Sequence, residues 1–203
     1  MNRRLLLIAG PLLAAGLALP ALPAAAAADP AAVIASLGNE ALKVLGKNVD
    51  PQLRVVRFRQ LFSADFDVPG ISRFVLGRYW RLATPAQQQQ FISLFTNYIA
   101  LAYANRLAEY GGATLRVTGT RAAPDGQLVS SEIIRADGQP PARIDWLLTP
   151  QNGAYKINDV IVEGVSMAVT QRSEFASVIQ RDGGQVQGLI TALQQKTESA
   201  GLR

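Results

Sequence analysis

From Leu115 the spacing of apolar residues changes from a helical period to the alternation of strands, and short turn signals divide the stretch up to Val165 into four pieces. The strands are expected over 114–122, 127–136, 142–149 and 155–165. Their separators are Pro124-Asp125-Gly126, Asp137-Gly138 with Pro140-Pro141, and Asn152-Gly153. Connections this short join neighbours as an antiparallel meander. The run Arg143-Ile144-Asp145-Trp146 alternates cleanly, which puts Ile144, Trp146 and Leu148 on one face and Asp145 on the other.

Helical patterns flank this sheet on both sides. Asp29-Pro30 is a cap followed by proline, and Val33, Ile34, Leu37, Ala41, Leu42 and Leu45 recur at helical spacing up to Gly46. Pro51 opens a second helix with Val55, Phe58, Leu61 and Phe62 on one side. A short third helix is expected after Pro69-Gly70, carrying Ile71, Phe74 and Val75 before Gly77. Thr84-Pro85-Ala86-Gln87 has the form of a capping box, and the helix it starts should run to about Tyr110 with an aromatic stripe. Two more helices are expected around 167–181 and 185–199. The fold class is therefore α+β, about six helices packed on one antiparallel sheet.

The first residues read as a secretory signal peptide over 1–28. Arg3 and Arg4 precede the apolar run Leu5 to Leu19, and Ala26-Ala27-Ala28 offers small residues for cleavage near Ala28. Gly10, Pro11 and Gly16 interrupt the run, so cleavage is expected rather than a retained anchor. The arginine pair permits the twin-arginine route, but the short n-region favours Sec export. The expected product is one periplasmic domain over 29–203, large enough to bury roughly 70% of its unfolded surface.

Two absences narrow the function. The chain has no histidine and no cysteine. That removes Ser-His-Asp and Cys-His nucleophilic sites, histidine or thiolate metal centres and a lipobox; no metal or cofactor is expected. It also removes disulfides, so stability outside the cytoplasm must come from packing. The net charge is +5, and loss of Arg3 and Arg4 with the signal peptide leaves +3, too little to argue for nucleic acid.

The aromatic residues Phe74, Tyr79, Trp80, Phe91, Phe95, Tyr98, Tyr103 and Trp146 fit two readings, a packed core or the lining of an apolar pocket. Both need the same inward-facing residues. Under the pocket reading the lining is Phe74, Val75, Trp80, Phe91, Phe95, Tyr98 and Tyr103 from helices, with Ile144, Trp146, Leu148, Val160 and Val162 from strands. Arg78 and Arg81, in Leu76-Gly77-Arg78-Tyr79-Trp80-Arg81, either end a helix or meet an anionic headgroup or acidic partner at a pocket mouth; Arg172 is grouped with them. Asp145, Asp159 and Glu163 invite an acid–base reading, but alternation turns Asp145 away from Trp146, and no SxxK pattern surrounds any of the four lysines.

Several blocks stand out in chain order: Phe66-Asp67-Val68, Phe74 to Trp80, Pro85-x-Gln87 with the Phe91-to-Tyr103 helix, Ile144-Asp145-Trp146, Tyr155-Lys156-Ile157-x-Asp159-Val160, and Glu163-Gly164-Val165-Ser166 running to Arg172-Ser173-Glu174-Phe175. Together they resemble the MlaC family of periplasmic phospholipid carriers, also called toluene-tolerance or Ttg2-type proteins. The resemblance implies an NTF2-like four-stranded sheet wrapped by helices around a hydrophobic cavity that holds acyl chains. It also implies a monomeric, non-enzymatic shuttle between an outer-membrane lipoprotein complex and an inner-membrane ABC transporter, serving outer-membrane lipid asymmetry. The branch encoded with hopanoid synthesis looks similar, which makes a hopanoid-linked cargo a variant. The alternatives are an enzyme on the same scaffold using Asp145 or Asp159, and a periplasmic adaptor without cargo.

Overall fold

Four helices begin in the same way, with an oxygen-bearing cap and a proline in the first two helical positions. In α1 (Pro30–Val44) Asp29 accepts the Ala31 N–H at 3.0 Å. In α2 (Pro51–Asp65) Asp50 accepts from Gln52 and Leu53. In α3 (Val68–Leu76) Asp67 accepts from Gly70 at 3.1 Å. In α4 (Pro85–Ala108) Thr84 and Gln87 form the full capping box. Proline lacks only an N–H that has no helical partner in the first turn, and its fixed φ suits the helix, so these starts are well determined. The structure is a computed structural model and describes residues 29–46 and 48–200. The expected signal peptide lies outside the described residues.

Two helix boundaries differ from expectation. α3 starts at Val68, before Pro69-Gly70, because Asp67 provides the cap and proline is tolerated one position in. α4 stops at Ala108 rather than near Tyr110, and the backbone passes through turn hydrogen bonds before Gly112 at φ 81°. A short 3-10 turn, Gly77–Arg81, links α3 to α4. The closing helices are α5 (Met167–Arg181) and α6 (Val186–Ser199).

Among the described residues the sheet has five strands, not four: β1 (Thr114–Ala123), β2 (Gly126–Ile134), β3 (Ala142–Gln151), β4 (Ala154–Val162) and β5 (Val165–Ser166). They lie in sequence order and every neighbouring pair is antiparallel. The fourth strand, expected to continue to Val165, stops at Val162. Glu163 and Gly164 both take positive φ, 48° and 82°, the requirement of a two-residue hairpin turn. The chain then folds back, pairing Val165 with Val162 and Ser166 with Ile161. A register shift opposite Leu147 and Leu148 leaves Asn158 as an extra residue in β4. Such a bulge bends a strand, and it lets Ile157 face the interior alongside Val160 and Val162.

The interior has two main parts. α3, α4, α5 and α6 bury Val75, Phe91, Phe95, Phe175, Ile179 and Ile190 among themselves. α1 lies on the sheet and buries Ile34 and Leu37 against Val129, Leu148 and Ile157. The space between these parts, against the inward side chains of β3 and β4, is where the candidate site lies.

Candidate functional site

α2 brings Phe58 and Phe62 to one face, Phe66 follows just past the helix end, and all three line an apolar cavity of about 210 Å³. α3 adds Ile71 and Val75, four apart; α4 adds Phe95, Ile99, Tyr103 and Leu107. The opposite wall is Ile144 and Trp146 of β3 with Val160 and Val162 of β4. The start of α5 closes the space with Met167, Ala168 and Gln171. The cavity is partly open to solvent, and its lining is almost wholly carbon.

Polar groups along the wall are mostly turned toward one another. The Trp146 indole N–H donates to Ser131 Oγ at 2.9 Å, and Ser131 Oγ donates to the Ile144 carbonyl at 3.2 Å. The indole ring is thereby left as hydrocarbon surface toward the cavity. Asn158 accepts from Thr149 Oγ1 at 2.7 Å and donates to Asp67 at 3.2 Å. Asp159 accepts the Ser166 hydroxyl at 2.5 Å and the Ala168 N–H at 3.0 Å. Burial raises the pKa of Tyr98 and of Tyr103 above the ordinary tyrosine range, so both hydroxyls stay neutral near pH 7.

Of the residues singled out from sequence, Val75, Phe95, Tyr103, Ile144, Trp146, Val160 and Val162 come together around this cavity. Five others lie elsewhere. Phe91 has no exposed surface and packs edge-on to Phe175 inside the helical core. Leu148 shares the inward face of β3 but sits further along it, beneath α1. Tyr98 faces α6, with the Lys196 ammonium 5.4 Å from its ring centre. Trp80 is half-buried against the helical core, its carbonyl accepting from Gln88 at 2.9 Å. Phe74 is 41% exposed, with the Arg172 guanidinium 5.2 Å from its ring centre.

None of the three arginines lines the cavity. Arg78 donates to the Tyr79 hydroxyl at 2.8 Å and lowers the Tyr79 pKa. Arg81 is exposed on the 3-10 turn, and Arg172 lies over Phe74 and Gly77 on the outer seam between α3 and α5. The residues missed in the sequence are Phe58, Phe62 and Phe66, Ile71, Ile99, Leu107, Asn158, Met167, Ala168 and Gln171. The four-residue repeat of phenylalanines was the available signal for the first three.

The carboxylates considered for acid–base chemistry are not free in this space. Asp145 is on the far face of β3, accepting from Ser130 across the strand pair at 2.5 Å. Asp159 holds the start of α5. Glu163 Oε1 accepts the Arg143 N–H at 2.6 Å in the hairpin turn. Among the described residues no cluster of acidic side chains is arranged to hold a metal, and no helix is long and apolar enough to cross a membrane.

The family model described as MlaC protein matches residues 35–195. The toluene tolerance protein ttg2D of Pseudomonas putida is 29% identical over 126 residues, covering 61% of this chain and 58% of that protein. The intermembrane phospholipid transport system binding protein MlaC of Haemophilus influenzae is 26% identical over 125 residues, again over 58% of its length. The aligned part thus spans somewhat over half of these curated relatives. A solved structure of a phospholipid-binding protein from Ralstonia solanacearum, in complex with a phospholipid, superposes with a TM-score of 0.71 at 28% identity. That match covers 85% of this chain and 98% of the other.

Proposed function

The chain belongs to the MlaC family, and from that premise we propose that it is a lipid-binding shuttle whose cavity takes up the acyl chains of a phospholipid. The observation that carries the reading is a cavity walled by carbon, in a fold shared with a protein solved with phospholipid bound. The proposed lining is the set from Phe58 to Gln171, which includes Phe95, Tyr103 and Trp146.

Each methylene exposed to water costs about 0.8 kcal/mol, so two chains with roughly 30 methylenes would cost on the order of 25 kcal/mol free in water. A carrier with a bilayer-like interior removes that barrier without chemistry, and transfer into it is nearly balanced. Direction then has to come from partners. In this proposal the single domain, 29–203, is exported to the periplasm, and as a monomer moves lipid between an outer-membrane lipoprotein complex and an inner-membrane ABC transporter. The NTF2-like comparison and a hopanoid-linked cargo belong to the same proposal. Arg78, Arg81 and Arg172 serve in it as headgroup or partner contacts, and their position off the cavity wall favours the partner role.

Drug-sized ligands occupy pockets of about 300–1,000 Å³. The present 210 Å³ is smaller than that, so loading a diacyl lipid requires the walls to part. α5 is the element to move, since its first turn closes the space. No observation favours the enzymatic reading: Asp145 is paired with Ser130 on the far face of β3, and Asp159, although it lines the cavity, spends its oxygens on Ser166 and the start of α5.

Organic extraction and native mass spectrometry of the purified protein test the proposal. Co-purified phospholipid, or uptake from liposomes after delipidation, is expected. A chain isolated free of lipid that acquires none from liposomes overturns it.

A further inference from the structure

The wall that closes the cavity has an outer surface with its own chemistry. On α5, Ala168 and Gln171 line the guest space, while Val169 and Arg172 are exposed on the outside. Val169 precedes Arg172 by three residues, so the two share a side of the helix. The Arg172 guanidinium lies over Phe74 of α3, 5.2 Å from the ring centre, and packs beside Gly77. Phe74 is 41% exposed, Val169 51%, and Val165, in the hairpin that leads into α5, 54%. Three of the five large apolar side chains left exposed among the described residues thus belong to the seam of α3 with the start of α5.

The same seam is cationic. From Val68 to Ala108 the chain carries four arginines and no acidic residue. Arg73 and Arg78, on either side of the stretch from Phe74 to Gly77, are exposed. The ion pairs among the described residues are Arg116–Glu132 and Arg135–Asp137, so Arg73, Arg78 and Arg172 have no carboxylate partner there. The acids nearest Arg172 along the chain are turned elsewhere. Glu174 stands about 200° round the helix from it and accepts from Gln171 at 3.2 Å. Glu163 Oε1 accepts the Arg143 N–H at 2.6 Å.

Unpaired arginines set among exposed apolar side chains suit a partner that is anionic at its surface and apolar beneath. We propose that the α3–α5 seam is a docking surface for a bilayer carrying anionic phospholipids. Phe74, Val165 and Val169 enter the headgroup layer, and Arg73, Arg78 and Arg172 hold its phosphates. Place favours a bilayer over an acidic protein face. The hairpin and helix turn that carry Val165 and Val169 are one layer thick, with Val162, Met167 and Ala168 lining the cavity directly behind them. Docked this way, α5 has the bilayer on its outer side and the guest on its inner side, so a wall that parts opens the cavity straight into lipid. The purpose of the surface rests on the carrier reading; its contacts do not.

Sedimentation of the delipidated protein with vesicles is the test. Vesicles of phosphatidylcholine and phosphatidylglycerol in equal parts should bind it at least about tenfold more tightly than phosphatidylcholine alone, and less so as salt is raised. Arg172→Glu should weaken that binding about tenfold. Arg121→Glu makes the same change of net charge on β1, at the opposite edge of the sheet, and should weaken it about twofold or less. Phe74→Ser and Val169→Ser should each weaken it about threefold. Neither side chain lines the cavity, so mass spectrometry of both variants should still find co-purified lipid. No binding by the natural chain, as follows if an acidic protein occupies this face, overturns the surface and leaves the carrier reading intact. So does equal loss in Arg172→Glu and Arg121→Glu, or binding untouched by either serine variant. Vesicle binding with this pattern, by a chain that neither holds nor takes up lipid, supports the surface and removes the carrier reading.

Discussion

Asp159 of β4 accepts the Ser166 hydroxyl at 2.5 Å, and through its other oxygen the Ala168 N–H at 3.0 Å, tying the last long strand to the start of α5. Ser166 itself caps that helix by accepting from Val169 at 3.0 Å. One carboxylate therefore holds the hairpin turn, the cap and the first turn of the helix that closes the cavity. Its charge also lies at the positive end of the α5 dipole.

Asp159→Ala should lower unfolding free energy by about 1–2 kcal/mol, the usual effect of losing a cap and a charged hydrogen bond. If α5 is the moving wall, the same variant should release lipid to acceptor liposomes faster than the natural chain. Urea denaturation measures the first effect and fluorescent-lipid transfer the second. A destabilised variant with unchanged release would separate α5 from gating.

Trp146 and Phe95 contact the cavity directly, so a charge at either place cannot be buried beside an acyl chain without a large penalty. Trp146→Glu and Phe95→Glu are each expected to abolish retention of co-purified lipid. Mass spectrometry of variants with native circular dichroism reads the result. Leu148→Ala is the contrasting change, since Leu148 packs under α1 away from the cavity. It should cost about 2–5 kcal/mol of stability while the folded fraction keeps its lipid.

The contrast between Phe91 and Phe95 marks the limit of what the sequence could reveal. Both belong to one apolar stripe of α4 and stack at 5.7 Å, yet Phe95 reaches the cavity and Phe91 is sealed in the helical core. Periodicity locates the inward face of a helix but not what lies beyond it. The caps, the turns and the α+β order were legible because each is local chemistry of a few adjacent residues. The fifth strand was not, because the turn at Glu163-Gly164 needs a positive φ at a glutamate, which the Arg143–Glu163 hydrogen bonds help to hold. The wall from α2 was legible in part, as a row of phenylalanines with no indication of which partner they met.

Gly77 sits at φ 54° and ψ −123°, a conformation that residues with a Cβ rarely adopt. An added Cβ would also come within 3.0 Å of the Arg172 guanidinium. Gly77→Ala should therefore cost about 1–3 kcal/mol, seen as a lower denaturation midpoint. Arg172→Ala should cost less than about 1 kcal/mol, because an exposed cation over a ring contributes little. A loss of partner-dependent lipid transfer in Arg172→Ala, with stability and retention intact, would assign that arginine to docking.

Asp65 ends α2, where the helix dipole is unfavourable to a negative charge. Its pKa is raised mainly by burial; Lys156 opposes the rise and Glu40 adds to it. A carboxyl with a folded pKa above its unfolded value holds its proton more tightly in the folded chain. Its contribution is then fully present below the ordinary carboxylate range and is lost as pH rises through the folded value. At pH 7 the charged group is a net burden, so Asp65→Asn should raise the melting temperature there. The gain should shrink as pH falls through the raised value toward the ordinary aspartate range, because protonation of the natural side chain then removes the same charge. Melting curves of both proteins from pH 7 down to about pH 4 check this, since the difference has to close on the acid side. A gap that stays constant across the range would mean that the substitution acts through packing rather than charge.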